Sequence, residues 1–185
     1  YFSLDNARDG AFAVAGKLYG ITFTRINDIP LPHPDAQAFE VREADGSHVG
    51  VLYMDFYPRE SKRQGAWCGS YRDHQVIDGK EITPVVTIVG NFTPPAGDKP
   101  ALLSMDDVLT LFHEFGHGLQ GLFSENTYSS TTVAWDIVEL PSQIMEHWAT
   151  QPEVLAMYAK HYETGEVIPQ ALVEKIRNSS YFNTG

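Results

Sequence analysis

Cysteine is almost absent from this sequence, which has Cys68 alone among 185 residues. One thiol forms no disulfide within the chain, so a small secreted module held together by disulfides is excluded. No apolar run approaches the roughly 18 residues that cross a membrane, and the first residues lack the pattern of a signal peptide. We therefore expect no membrane span, and these features favour a cytoplasmic location.

Basic residues are also scarce, with 13 Lys and Arg against 24 Asp and Glu and a formal net charge of −11. A nucleic-acid-binding protein needs a basic face, so this balance argues against that class. Apolar residues make up 43% of the chain, which excludes a disordered protein and supplies a core for about one domain. Peptides remain possible partners, and the oligomeric state is not predictable from these features.

The order of patterns along the chain predicts an α+β fold. Residues 5–19 carry an apolar helical stripe that ends at Gly20. Alternating and β-branched segments follow through 20–92, including a possible edge strand at 66–71, and helical periodicity dominates 104–178. Strands before helices favour a small sheet followed by a helical part. Because both ends resemble the interior of a longer chain, we expect this domain to be partial.

Residues 104–121 predict a helix that carries the chemistry. Ser104 is a suitable N-cap, and Asp107 completes a capping-box pattern. Within the helix, His113 and His117 lie one turn apart in the pattern H-E-x-x-H, so both imidazoles can reach one metal ion. Glu114 lies about 100° further round, where it can act on a water molecule as a general base. Zinc is the expected ion, since two imidazoles and one carboxylate leave a fourth position open.

Two features of this helix narrow the class of site. Gly116 and Gly118 each reduce helix propensity by about 1 kcal/mol, which indicates close approach of another segment or of a substrate. The metzincin pattern would place Gly and His where this chain has Gln120 and Phe123, so that class is excluded. The third metal ligand must therefore come from another part of the chain.

Residues 134–150 are the expected source of that ligand. Their polar stripe offers Glu139 as the preferred ligand, with Asp136 and Glu146 one and two turns away to support the site. Pro141 follows Glu139 by two residues. The helix therefore either begins near Asp136, with the proline in its first turns, or is kinked there.

Several segments taken together resemble one known family. They are FHEFGHGLQ, WDIVELPSQIMEHW, PVVTIVGNFTPPAGDKPALLS and YMDFYPRESKRQGAW. As a set they are similar to the thimet oligopeptidase and peptidyl-dipeptidase family of zinc metallopeptidases. The segment GAWCGSYRDH looks more like the bacterial peptidyl-dipeptidase (dipeptidyl carboxypeptidase) branch than the oligopeptidase A branch.

The resemblance implies a thermolysin-like zincin core, as a fragment of a larger and mainly helical enzyme. It implies one Zn²⁺ held by His113, His117 and Glu139, with Glu114 as general base. It also implies that oligopeptide substrates lie along an edge strand made of Gly65, Ala66, Trp67, Cys68 and Gly69. In the family, the groups that stabilise the tetrahedral intermediate lie further C-terminal. We therefore expect these 185 residues alone to be inactive or nearly so.

Three functions fit these patterns. The first is a peptidyl-dipeptidase that releases dipeptides from the C-terminus of oligopeptides. The second is an endopeptidase of the oligopeptidase A or thermolysin type. The third is a non-catalytic, metal-bound module that binds peptides. Glu114 argues against the third, since a structural zinc site has no use for a general base.

Overall fold

The computed structural model describes residues 1–128 and 133–181. It has the predicted α+β architecture, with a mixed sheet and, in these residues, five helices. None of these helices has the length and apolarity needed to cross a membrane. The elements in chain order are α1 (Leu4–Tyr19), β1 (Thr22–Ile26), β2 (Gln37–Arg42), β3 (His48–Asp55), β4 (Trp67–Arg72), β5 (Gln75–Ile77), β6 (Lys80–Ile82), β7 (Val85–Val89), α2 (Met105–Leu122), α3 (Leu140–Ala149), α4 (Pro152–Tyr158) and α5 (Gln170–Tyr181).

Five strands form the main sheet in the order β1-β2-β3-β7-β4. All neighbours are antiparallel except β3 and β7, which run parallel. The strand β4 is an edge strand, as expected for 66–71, and no strand in the described ranges pairs with its outer side. It therefore keeps one row of backbone N–H and C=O groups available for pairing.

A second sheet contains only the hairpin of β5 and β6, which sequence patterning did not predict. Its two turn residues, Asp78 and Gly79, both have positive φ, at 51° and 74°. The Asp-Gly pair is a signal for a tight hairpin turn, because both central residues of such a turn need that conformation. This turn signal could have found the hairpin, although its strands have only three residues each.

The core lies between the main sheet and α2. Strand residues alternate between the two faces, and Val86 and Ile88 point toward this helix. A Cβ at Gly118 would lie 3.0 Å from Ile88 Cδ1, and one at Gly121 would lie 3.0 Å from Val86 Cγ2. The glycines therefore let α2 lie close to the sheet. Buried apolar side chains of α2, including Phe112 and Phe115, fill the remaining space.

The start of α2 is fixed by the predicted capping box. Ser104 Oγ accepts a hydrogen bond from the Asp107 backbone N–H at 3.1 Å, and Asp107 accepts one from the Ser104 backbone N–H at 2.9 Å. These bonds satisfy amide groups that have no partner within the helix. The cap therefore fixes the residue at which α2 begins, and with it the direction in which each side chain of α2 points.

The helix α3 begins later than expected. Residues 135–139 form turns, Glu139 is the N-cap, and Pro141 lies in the first turn. Proline has no backbone N–H, but an N–H in the first turn of a helix has no partner within the helix. Pro141 is therefore well placed at the start of α3, and no kink results. Of the two alternatives, the proline in the first turn agrees with the structure, but the helix begins at Leu140 and not near Asp136. Asp136 therefore lies in a turn instead of on the helix face that carries Glu146.

A buried ion cluster lies on the sheet face opposite α2. Asp55, at the end of β3, accepts two N–H bonds from Arg59 at 2.9 and 2.7 Å. Lys62, whose side chain is only 2% exposed, bonds to the same carboxylate at 3.0 Å. Burial alone raises the pKa of Asp55, but the bonds from Arg59 and Lys62 together hold it below its usual range. The cluster closes the loop that leads into β4.

Candidate metal centre

The two histidines of α2 converge as the i, i+4 spacing predicts. The Nε2 atoms of His113 and His117 lie 3.2 Å apart, and both side chains are partly buried. Burial lowers the pKa of His117, which favours the neutral imidazole that a metal ion requires. One helix therefore supplies two nitrogen ligands directed to one point.

Glu139 completes the group from the N-cap of α3. Its Oε2 atom lies 3.2 Å from Nε2 of His113 and 3.2 Å from Nε2 of His117. Two nitrogens and one oxygen thus form a nearly equilateral triangle. Tetrahedral zinc, with bonds near 2.0 Å, places neighbouring ligand atoms about 3.3 Å apart. The triangle has the size that such an ion needs, and these three residues could hold a metal.

A glycine allows α3 to come so close. A Cβ at Gly116 would lie 2.5 Å from the carbonyl oxygen of Pro141 and 2.6 Å from Cα of Ser142. Real side chains essentially never approach that closely, so only glycine fits here. The close approach expected at this position is confirmed, and the approaching segment is the first turn of α3. Gly116 thereby brings Glu139 within reach of the histidines.

Ser142 orients the Glu139 carboxylate. It is fully buried, and its hydroxyl lies 2.8 Å from Glu139 Oε2 and 2.8 Å from the Glu139 carbonyl oxygen. The bond from Ser142 is the main cause that lowers the pKa of Glu139, and the nearby histidines add to the effect. Sequence reasoning missed this residue, because a serine three positions after an acidic residue has no distinctive pattern.

Of the two acidic residues expected to support the ligands, the structure brings one to the site. Glu146 Oε1 lies 2.5 Å from Nδ1 of His113. An acceptor there favours a proton on Nδ1, which leaves the Nε2 lone pair directed toward the triangle. Asp136 lies exposed in the turn before α3 and makes no hydrogen bond or ion pair with the described residues. Its supporting role stays a prediction.

Glu114 lies beside the triangle without joining it. It is 8% exposed, and burial is the main cause that raises its pKa. The charge of Glu139 raises this pKa further, while His113 and the backbone N–H of Cys68 lower it. A carboxyl with an elevated pKa is suited to accept and return a proton near neutral pH.

The predicted substrate strand runs past the site between two cavities. Ala66 lines a cavity of about 320 Å³ together with His113, Glu114 and Glu146. Cys68 and Gly69 line a cavity of about 450 Å³ on the His117 side.

The remaining two residues of that segment lie elsewhere. Gly65 has a φ of 92° in the preceding loop, and its carbonyl accepts a bond from Asn91 at 2.7 Å. Trp67 packs under the guanidinium of Arg63, 4.9 Å from the ring centre, and lines neither of these two cavities. Of the predicted segment, Ala66, Cys68 and Gly69 therefore line the cavities beside the triangle, whereas Gly65 and Trp67 do not.

Comparison with known proteins identifies related sequences over the whole chain. The model of peptidase family M3 matches residues 1–185. The dipeptidyl carboxypeptidase of Escherichia coli (strain K12) is 45% identical, with all of this chain and 28% of that protein covered. Oligopeptidase A of the same organism is 41% identical, with 95% of this chain and 27% of that protein covered. The chain thus spans less than a third of the length of these curated relatives.

Proposed function

This chain belongs to peptidase family M3, and from that premise we propose that it carries the metal centre of a zinc peptidase acting on oligopeptides. The observation that carries the proposal is the triangle of His113, His117 and Glu139, with atoms 3.2 Å apart. Glu114 stands next to it as a buried carboxyl outside the ligand set. A structural metal site needs no such group, whereas hydrolysis does.

The residues of the chain divide the work of hydrolysis between them. A zinc ion bound at the triangle would supply Lewis acidity, which activates water and polarises a carbonyl group. Glu114 accepts the proton of the attacking water and then delivers it to the leaving amine. Glu146 holds the proton on His113 Nδ1, and Ser142 holds the Glu139 carboxylate in place.

The substrate backbone pairs with the free side of β4. An added peptide forms its best hydrogen bonds when it runs antiparallel to the strand. Its chain would then run from the level of Ser70 toward Ala66, with the scissile bond near Cys68 and Glu114. Residues before that bond would lie over the 450 Å³ cavity, and residues after it over the 320 Å³ cavity.

Release of dipeptides from the C-terminus is the specific activity that we propose. The relative named dipeptidyl carboxypeptidase is 45% identical to this chain, and the one named oligopeptidase A is 41% identical, so the difference is small. Endopeptidase activity of the oligopeptidase A or thermolysin type is the alternative. A non-catalytic, peptide-binding module is disfavoured by the position of Glu114.

The wider setting of the site is also a proposal. We infer that residues 1–185 are part of a thermolysin-like catalytic domain within a longer, cytoplasmic enzyme. Oxyanion stabilisation would come from groups outside this chain, and loss of one such donor reduces turnover by about 10²–10³-fold. The 185 residues alone should therefore hydrolyse peptides poorly. Wild-type-like peptidase activity from them would contradict this.

The test compares full-length protein with its Glu114→Gln variant. Wild-type protein should contain one zinc per chain and cleave oligopeptides, with mass spectrometry showing loss of C-terminal dipeptides. The variant should keep its zinc and lose about 10²–10⁴-fold in kcat. Glu60→Gln, at an exposed position in the loop between β3 and β4, is the matched control and should change neither the zinc content nor kcat.

Each alternative has its own result. Internal cleavage would indicate an endopeptidase, and zinc binding without cleavage would indicate the non-catalytic module. Loss of zinc in Glu114→Gln would make Glu114 a ligand and overturn its role as base.

A further inference from the structure

The 450 Å³ cavity beside His117 has an apolar wall and an acidic rim. Val138 and Trp135 supply apolar surface, and the Trp135 residue is 93% exposed. Asp73, just beyond the end of β4, is the acidic residue of its lining. Among the described residues, no Lys or Arg lines the cavity. Its surface therefore combines contact area for a hydrocarbon chain with one negative charge.

Asp73 has no partner among the described residues. Nothing in those ranges donates a hydrogen bond to its carboxylate or forms an ion pair with it. The adjacent Arg72 donates its Nε–H to the carbonyl of Thr83 at 2.8 Å, and His74 places Nδ1 2.9 Å from the carbonyl of Asn126. Arg72 and His74 therefore form their hydrogen bonds elsewhere, and the Asp73 carboxylate is available to pair with a group of the substrate.

We propose that Asp73 is a specificity-determining residue that selects lysine or arginine on the N-terminal side of the scissile bond. The inference rests on the proposed peptidase function and on antiparallel pairing of substrate with β4. The cavity adjoins Cys68, Gly69 and His117, so it lies beside the point of cleavage and not at a distance from it.

The chemistry of a long basic side chain matches this surface. Lysine and arginine have aliphatic stems that pack on apolar walls while the charged head stays in water. Val138 would contact the stem, and the ring of Trp135 is exposed to the cationic head. Asp73 would then pair with that head at the rim. A glutamate side chain would instead meet the like charge of Asp73 at the rim, where no Lys or Arg of the described residues lines the cavity.

The test uses full-length protein and peptides that differ at one position. Lysine, its neutral analogue norleucine, or glutamate is placed in turn at each of the three positions before the scissile bond, and kcat/KM is measured for each. Wild type should prefer lysine to norleucine at one of these positions. Asp73→Asn should reduce the lysine-to-norleucine ratio by about two- to fivefold, the range of an exposed ion pair. Asp73→Lys should reverse the order of lysine and glutamate.

Asp78→Asn is the matched control, because it removes the same charge five residues away and outside the cavity lining. Asparagine also tolerates the positive φ of 51° at that position. This control should keep the wild-type ratio. The wild-type ratio should also decline as salt rises, since exposed charges are screened within about 10 Å at 0.1 M.

The outcomes separate this inference from the proposed function. If peptides are cleaved but Asp73→Asn keeps the wild-type ratio, the specificity role of Asp73 is wrong and the peptidase function stands. If the lysine-to-norleucine ratio falls equally in Asp78→Asn, the cause is a general effect of charge and not a local contact. That result also overturns the specificity role of Asp73. If no peptide is cleaved by the wild-type protein, both proposals fail.

Discussion

The two clusters of polar groups on opposite sides of the sheet differ in whether their members already have partners within the cluster. The Asp55 cluster contains its own cations: every ammonium proton of Lys62 has an acceptor nearby, in the carboxylate at 3.0 Å and in two carbonyls at 2.8 Å. The triangle of His113, His117 and Glu139 instead directs three electron-pair donors toward one point. The first cluster stabilises the fold by itself, whereas the second is suited to bind an added cation.

The largest effect, on the free energy of unfolding, is expected from the Asp55 cluster. Asp55→Ala would leave Lys62 buried without a counter-ion, and breaking a buried pair in this way costs about 3–5 kcal/mol. Urea unfolding of the full-length protein measures the loss. Asp45→Ala, which removes an exposed turn carboxylate, is the control and should cost much less. Equal losses in both variants would contradict a special role for the buried cluster.

Acid should remove the same stabilisation. The pKa of Asp55 is lowered in the folded state, so its contribution is present above the unfolded pKa of about 3.9. It is lost as the pH falls through the lower, folded pKa. The difference in stability between wild type and Asp55→Ala should therefore shrink below about pH 4. A difference that remained constant into strong acid would show that charge pairing is not its source.

The triangle of His113, His117 and Glu139 should make the stability of the protein depend on zinc. Zinc at 100 times its Kd stabilises a protein by about 2.7 kcal/mol when only the folded state binds it. A chelator should lower Tm accordingly, and His113→Ala should abolish the response while changing metal-free stability by about 1 kcal/mol or less. His48→Ala, at an exposed histidine that contacts Glu40, should keep the full response. An unchanged zinc response in His113→Ala would rule out this ligand set.

A substitution at Gly116 tests the packing of α2 against α3, the two helices that supply the triangle. Gly116→Ala forces a methyl group against the backbone of Pro141 and Ser142, and such overpacking costs about 1–3 kcal/mol. Zinc affinity should fall as well, because Glu139 moves away with α3. Gly121→Ala on the same helix meets only a Val86 methyl at 3.0 Å and is the control. Zinc affinity equal to wild type in Gly116→Ala would mean that Glu139 does not depend on this contact.

The smallest effect is expected at Ser142. Ser142→Ala removes the hydrogen bond to Glu139 Oε2 and should lower zinc affinity by about tenfold, at the low end of the range for groups that orient ligands. Stability should fall by about 1 kcal/mol. Ser124→Ala, whose hydroxyl bonds to the Gln120 carbonyl, should leave zinc affinity unchanged. Isothermal titration with zinc separates the two variants, and equal affinities would remove Ser142 from the site.

Local patterns predicted the elements whose residues interact with near neighbours in sequence. The capping box of Ser104 and Asp107 spans one helical turn, and the two histidines lie one turn apart, so both features were readable directly. Alternating and β-branched segments likewise predicted the strands β3 and β7. The late start of α3 was not readable, because the polar stripe around Asp136 is also compatible with a turn that precedes a proline-containing helix.

By itself, then, the sequence determined the α+β order of elements, the pair of imidazoles on one helix face and the position of Glu114 beside them, because each depends on spacing within a few residues. Tertiary structure alone decided how Glu139 reaches those imidazoles, since that distance depends on the packing of α3 against Gly116. It also decided the roles open to Ser142, Glu146 and Asp73, whose surroundings come from residues distant in sequence. Packing between residues distant in sequence brings such groups together, and local sequence patterns do not predict it.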